Sequence, residues 1–202
     1  MKKVQDYYFK KAKREKYPAR SVYKLEEAQE KYHFLKRGHK ALDIGSYPGS
    51  WSIYASRVLG PQGLVVGVDL QDGRPMRQSG RCRIEFIRGD ITGDETLEAI
   101  RACCSSFDAL LSDMAPNTTG NKWADQQKSL ELSRRAFVLC NEFLRPGGCF
   151  YCKVFEGEDF KEFYDTVRLC FTNSRIVKPK SSRRESREVF ILGLGFKNLS
   201  EK

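Results

Sequence analysis

Two short stretches bring an aspartate and a lysine into comparable settings. They are Ser112-Asp113-Met114-Ala115-Pro116-Asn117 and, forty residues later, Cys152-Lys153-Val154-Phe155. Each follows an apolar run of strand character, so Asp113 and Lys153 emerge toward the ends of two strands. Lysine is normally protonated, with a pKa of about 10.4, and becomes a base only when desolvation or a second cation favours its neutral form. Lys24 is the candidate second cation. It falls in the first turn of a helix, where its charge opposes the helix dipole; taken alone, a surface lysine near a polyanion is the plainer reading. Glu188, in Ser186-Arg187-Glu188-Val189-Phe190, begins the last strand. It reaches the edge that carries Lys153 if that strand runs antiparallel to the others, and is otherwise a salt-bridged strand terminus.

The elements that must position these groups alternate. Candidate strands are Ala41–Ile44, Leu64–Asp69, Arg83–Ile87, Asp108–Asp113, Gly148–Phe155, Ser174–Val177 and Glu188–Leu194. Helical patterns fill residues 50–59, 94–104, 125–144 and 158–170, the longest stopping at Arg145-Pro146-Gly147-Gly148. An earlier helix, with Ser21 at its cap, turns Leu25, Ala28, Tyr32 and Leu35 inward. Strands alternating with helices make a doubly wound α/β domain with ligands at the carboxyl ends of the strands. A right-handed crossover through one helix makes the Asp113 and Lys153 strands neighbours.

The first strand runs into Gly45-Ser46-Tyr47-Pro48-Gly49-Ser50-Trp51 and then a helix. Glycines there let main chain approach a ligand, and the helix start offers free N–H groups. The spacing is neither G-x-G-x-x-G nor a P-loop, so pyrophosphate is not called for. Asp69 ends the next strand, where an acid takes ribose hydroxyls, and Asp90 ends the third, placed to accept from an adenine amino group. Three carboxylates at successive strand ends, with Asp113 the third, suit a cationic cofactor rich in hydroxyls and amines. S-adenosylmethionine fits better than NAD. Trp51 alone reads as core; its place just past the turn makes it a candidate cofactor contact with Gly49.

Composition narrows the setting. A chain of 202 residues with a 40% hydrophobic share supports one compact domain, and no apolar run approaches the roughly 20 residues of a membrane span. Residues 1–24 are charged rather than apolar, which argues against a secretory signal, so a cytoplasmic protein is expected and the Asn117-Thr118-Thr119 sequon carries no sugar. The net charge of +10 is concentrated: residues 1–24 contribute +7 and Arg175, Lys178, Lys180, Arg183, Arg184 and Arg187, against Glu185, contribute +5, leaving −2 elsewhere. Such clustering is the footprint of a polyanion binder, with a solubilising basic face as the alternative. Seven cysteines and two histidines give neither a disulfide framework nor a zinc site, and no metal is expected. Cys149 and Cys152 read C-x-x-C, but in a strand their side chains point to opposite faces.

From about Ala19 to the end, the chain resembles the FtsJ/RrmJ type of ribosomal RNA 2′-O-ribose methyltransferases. The resemblance is carried by Arg20-Ser21-Val22-Tyr23-Lys24-Leu25, the glycine turn, Ser112–Asn117, Lys153-Val154-Phe155-Glu156-Gly157 and Ser181-Ser182-Arg183 through Phe190. It implies a single Rossmann-like domain at 19–202 behind a basic extension at 1–18. The implied sheet is mostly parallel and seven-stranded, with one antiparallel strand and helices on both faces. It also implies a Lys-Asp-Lys-Glu tetrad on Lys24, Asp113, Lys153 and Glu188, and cofactor contacts at Gly49, Trp51, Asp69, Asp90 and Asp113. The family pattern has glycine where this chain has Ser50, so the turn must there suit a non-glycine residue. The implied activity is methyl transfer from S-adenosylmethionine to a ribose 2′-hydroxyl, a uridine of 23S ribosomal RNA in the large subunit. With no sign of an obligate dimer interface or an apolar span, a monomer without membrane attachment is expected. The alternatives are the same chemistry on transfer RNA or an mRNA cap, and a catalytically silent RNA-binding assembly factor.

Overall fold

The computed structural model describes residues 2–72, 81–116, 119–183 and 185–197, with side chains described from Tyr7 onward. Asn117 and Thr118 of the expected sequon, and Arg184 of the second basic cluster, lie outside the described residues. Seven strands form one sheet in the order β3-β2-β1-β4-β5-β7-β6. They are β1 (Lys40–Ile44), β2 (Leu64–Asp69), β3 (Arg83–Arg88), β4 (Phe107–Ser112), β5 (Leu144–Phe155), β6 (Phe171–Val177) and β7 (Glu188–Phe196). The first five run parallel; β7 is antiparallel to both β5 and β6, as the resemblance implied.

Among the described residues six helices accompany them: α1 (Lys2–Arg14), α2 (Val22–Tyr32), α3 (Ser50–Leu59), α4 (Asp94–Cys103), α5 (Lys122–Phe143) and α6 (Phe160–Cys170). Helix α1 was not foreseen in the sequence; Ala12 at its C-terminal turn, and Tyr17 just beyond, are buried. Helix α5 starts earlier than its apolar pattern suggested, because Asn121 caps it by accepting from the N–H groups of Trp123 and Ala124. It ends at Phe143, and Leu144 passes straight into β5. Ser21 stands at the start of α2, but its hydroxyl makes no cap bond; its carbonyl instead accepts from the Trp51 indole at 2.9 Å.

The sheet separates two apolar layers, and side-chain alternation along each strand decides which layer a residue joins. In β5, Phe150, Cys152 and Val154 pack toward α5 and α6, whereas Cys149 and Tyr151 pack toward α2 and α3. The two C-x-x-C sulfurs therefore lie in opposite layers, both as buried free thiols. Lys153 shares the parity of Cys149 and Tyr151. Asp113 shares that of Ala109 and Leu111, and Glu188 that of Phe190 and Leu192, all in the α2/α3 layer. The strand pattern alone thus aims three ionisable groups at the face that α2 covers.

Candidate active site

The end of β4 lies beside β5 in a register that pairs Ser112 with Cys152, so Asp113 and Lys153 follow as neighbours. Lys153 Nζ donates to the Asp113 carboxylate at 3.0 Å and to its carbonyl at 2.6 Å. In β7, Glu188 stands opposite Phe155 and Phe190 opposite Lys153, which brings Glu188 to the same edge. From above, α2 supplies Lys24, whose ammonium donates to Glu188 Oε2 at 2.6 Å and stands 3.8 Å from Asp113 Oδ1. All four expected residues therefore converge, with side chains between 4% and 17% exposed.

Below them, Trp51, Tyr151 and Phe190 stack with centroids 4.9–5.8 Å apart, and the Tyr151 hydroxyl donates to the Lys24 carbonyl at 3.0 Å. This aromatic floor fixes α2 on the sheet. Desolvation opposes the charged forms of both Lys24 and Asp113, yet their partners prevail. Asp113 and Glu188 hold the Lys24 ammonium above the ordinary lysine range, and Lys153 and Lys24 hold the Asp113 carboxyl below the ordinary carboxylate range.

Beside this cluster opens a cavity of about 490 Å³ along the carboxyl ends of β1, β2 and β3, within the usual size range of small-molecule sites. Its lining includes Gly45, Tyr47, Asp69, Asp90, Asp113 and Met114. Asp69 is held by the N–H groups of Tyr47 at 3.0 Å and Gln71 at 2.9 Å, and Asp90 by the N–H and hydroxyl of Thr92 at 2.9 and 2.8 Å. Those Thr92 bonds set the Asp90 carboxyl below its ordinary range. At Gly45 (φ 74°) a Cβ would meet Met114 Cγ at 2.6 Å and Met114 main chain at 3.1 Å, so the turn passes this close to Met114 only without a side chain.

Two expected cofactor residues take other places. Gly49 (φ 97°) and Trp51 do not line the cavity; the Trp51 ring is buried in the aromatic floor. Ser50 stands where the family pattern has glycine, as the first residue of α3, and its hydroxyl accepts the Ala19 N–H at 2.8 Å. Left-handed backbone falls on Gly45 and Gly49 instead, so serine fits without strain. The sequence reading missed Ser182, whose hydroxyl donates to Glu188 Oε1 at 2.8 Å, and Glu27, which anchors that serine's loop. Glu27 lies three residues after Lys24, the one signal that would have found it.

A parallel sheet with one reversed strand, acids at successive strand ends, and ionisable groups beside the cavity define a Rossmann-like transferase architecture. The model of the FtsJ-like methyltransferases matches residues 17–196, and the chain belongs to that family: it is a methyltransferase. Three curated relatives are each named ribosomal RNA large subunit methyltransferase E. That of Desulfotalea psychrophila is 51% identical, covering 98% of each chain. Those of Desulfatibacillum aliphaticivorans (45%, over 93% of this chain and 89% of the relative) and Oleidesulfovibrio alaskensis (43%, over 100% and 96%) are also similar. The crystal structure of a ribosomal RNA methyltransferase from Plasmodium falciparum superposes with a TM-score of 0.78. It shows 27% identity and covers 89% of this chain and 98% of that one.

Proposed function

We propose that this protein methylates the 2′-hydroxyl of a ribose, a uridine of 23S-type RNA in the large ribosomal subunit, with S-adenosylmethionine as donor. The observation that carries the reading is the convergence of Lys24, Asp113, Lys153 and Glu188 at the rim of the acid-lined cavity. The names of the relatives supply the class of RNA.

The cavity suits the cofactor. Asp69 is placed to accept from ribose hydroxyls and Asp90 from the adenine amino group, while Asp113 faces the cationic end. Gly49 and Trp51 support the cofactor from behind the cavity wall, Gly49 through its left-handed turn into α3 and Trp51 through the aromatic floor. When bound, S-adenosylmethionine supplies a methyl group activated on a sulfonium. The chain's own residues handle the hydroxyl. Lys153 orients it and, in its neutral form, takes up its proton at Nζ, with Asp113 fixing that amine by two hydrogen bonds. Lys24 remains a cation, positions the nucleotide and is balanced by Glu188. Alignment of the reacting atoms supplies much of the acceleration. The protein acts as a cytoplasmic monomer, with residues 1–18 as a basic extension to the domain at 19–202. No helix among the described residues is long and apolar enough to cross a membrane.

The test is 2′-O-methylation mapping on ribosomal RNA from cells lacking and then regaining the protein, alongside methyl transfer in vitro to ribosomal, transfer and capped RNAs. One ribosomal position should lose and regain its mark. Transfer confined to another RNA, or none at all, would replace this reading. In the same assay Lys153→Ala should slow turnover by roughly 10²–10⁴-fold, the usual contribution of proton-transfer catalysis, while still binding cofactor. Near-normal turnover in that variant would remove Lys153 from its role.

A further inference from the structure

We propose that Ser182 is a positioning residue for Glu188 and that Glu27 holds it there, so the basic loop between β6 and β7 sets the alignment of the tetrad. This inference rests on the tetrad being the site of methyl transfer. Glu188 is 8% exposed and engaged at both oxygens: Oε2 accepts from Lys24 at 2.6 Å and Oε1 from the Ser182 hydroxyl at 2.8 Å.

Ser182 is half-buried and belongs to no helix or strand, so its place depends on what anchors the residues before it. The main-chain N–H groups of Lys180 and Ser181 donate to the two carboxylate oxygens of Glu27 at 2.6 and 3.0 Å. Arg20 donates to the Ser181 carbonyl at 2.6 Å. Beyond Ser182, Lys178 donates to the carbonyls of Ser186 and Glu188 at 2.6 and 2.5 Å and closes the loop on itself. Glu27 and Lys24 lie three residues apart on α2, which puts them on one helical face. A single helix therefore controls both oxygens of Glu188, one directly and one through the loop.

The two anchors define the carboxylate plane, whose terminal torsion is otherwise broad in glutamate. Without Ser182, a buried Oε1 loses its donor, and the carboxylate turns to find another. Lys24 turns with it, because its bond to Glu188 is far shorter than its 3.8 Å approach to Asp113. Asp113 Oδ1 is shared with Lys153, so the displacement reaches the amine that handles the substrate hydroxyl. Lys180 and Arg183 of the same loop are exposed. Phosphates that engage them act on the same main chain that seats Ser182.

The test uses the full chain with Ser182→Ala, Ser182→Thr and Glu27→Gln. Single-turnover methyl transfer to large-subunit RNA is measured at saturating RNA and cofactor, with the affinities for RNA and for S-adenosylmethionine measured separately by calorimetry. Ser182→Ala should slow transfer about tenfold, as for loss of one hydrogen bond to a charged group, with both affinities within about twofold of the parent. Ser182→Thr should restore most of the rate. Glu27→Gln, which sets an amide donor against a main-chain N–H, should fall between. A parental rate in Ser182→Ala, a loss confined to RNA affinity, or no rescue by threonine would each overturn the proposal. If Ser182→Ala does not fold, a parental rate in Glu27→Gln overturns it, and a slowed Glu27→Gln beside a near-parental Ser182→Thr supports it. Lys153→Ala separates the two levels: normal turnover there removes the underlying reading, whereas an inactive Lys153→Ala beside a parental Ser182→Ala removes only the positioning role.

Discussion

Asp43 is fully buried at the end of β1, with Ser52 of α3 donating to Oδ2 at 2.6 Å and no hydrogen-bond partner at Oδ1 among the described residues. Desolvation, followed by repulsion from Asp113 and Asp69, pushes its carboxyl up to about 7 against the relief from Ser52. The native chain keeps this proton over a range where the unfolded chain, with an ordinary aspartate near 3.8, has lost it. The ionisation penalty is therefore absent below pH about 4 and fully present above about 7, on the order of 4 kcal/mol at ~1.4 kcal/mol per tenfold. Stability falls with rising pH across that window. Melting temperatures of the parent and Asp43→Asn should diverge in favour of asparagine between pH 5 and 8; parallel curves would contradict the assignment. Two members of the tetrad, Asp113 and Lys24, instead stabilise the fold in their charged forms. The stabilisation from Asp113, its carboxyl depressed, is lost only as pH falls through a value below the ordinary range. That from Lys24, its ammonium raised, is lost only as pH rises through a value above the ordinary range. Neither group titrates near neutrality, and His39, its imidazole lowered by burial, makes stability rise with pH, so a fall in stability with rising pH toward 7 points to Asp43.

At the scale of elements, strand parity does most of the positioning. Residues two apart in β4, β5 and β7 share a layer, so the apolar residues before Asp113 and Lys153, and after Glu188, announce the face these groups take. The seven strands and the opposite faces of Cys149 and Cys152 were legible in the sequence, and the layer of each ionisable group follows from the same alternation once the sheet is built. Strand ends were read a few residues short: β6 extends back to Phe171 because pairing with β7 orders residues that carry no alternating pattern of their own. Trp123 lies in the first turn of α5, 64% exposed. A ring held out on a capped helix suits stacking on a base. Trp123→Ala should weaken RNA binding by about 1–3 kcal/mol with little change in melting temperature. An unchanged RNA affinity would make this ring a bystander.

Over the whole molecule the net charge of +10 resolves into individual tasks. Lys178 closes its loop through carbonyls, Arg175 lies 6.0 Å from the Tyr32 ring, and Lys11 pairs with Glu26 at 3.2 Å. Lys180, Arg183 and Arg187 remain exposed on the loop beside the tetrad. RNA affinity should fall steeply with salt, each neutralised phosphate adding about −0.7 to −0.9 to the logarithmic slope. Lys180→Ala and Arg183→Ala should each reduce that slope by nearly one. A slope unchanged in both would place the RNA backbone elsewhere.

Sequence by itself determined the seven strands, the opposite faces of Cys149 and Cys152 and, through the family resemblance, the tetrad, because alternation, turn chemistry and motifs are local properties of the chain. Tertiary structure alone decided that Lys24 meets Glu188 across 164 residues, that Ser50 serves Ala19, that Trp51 belongs to the aromatic floor, and that Glu27 seats Ser182. Those contacts depend on how α2 and the β6–β7 loop pack over the reversed strand. No periodicity within one segment encodes the distance between two.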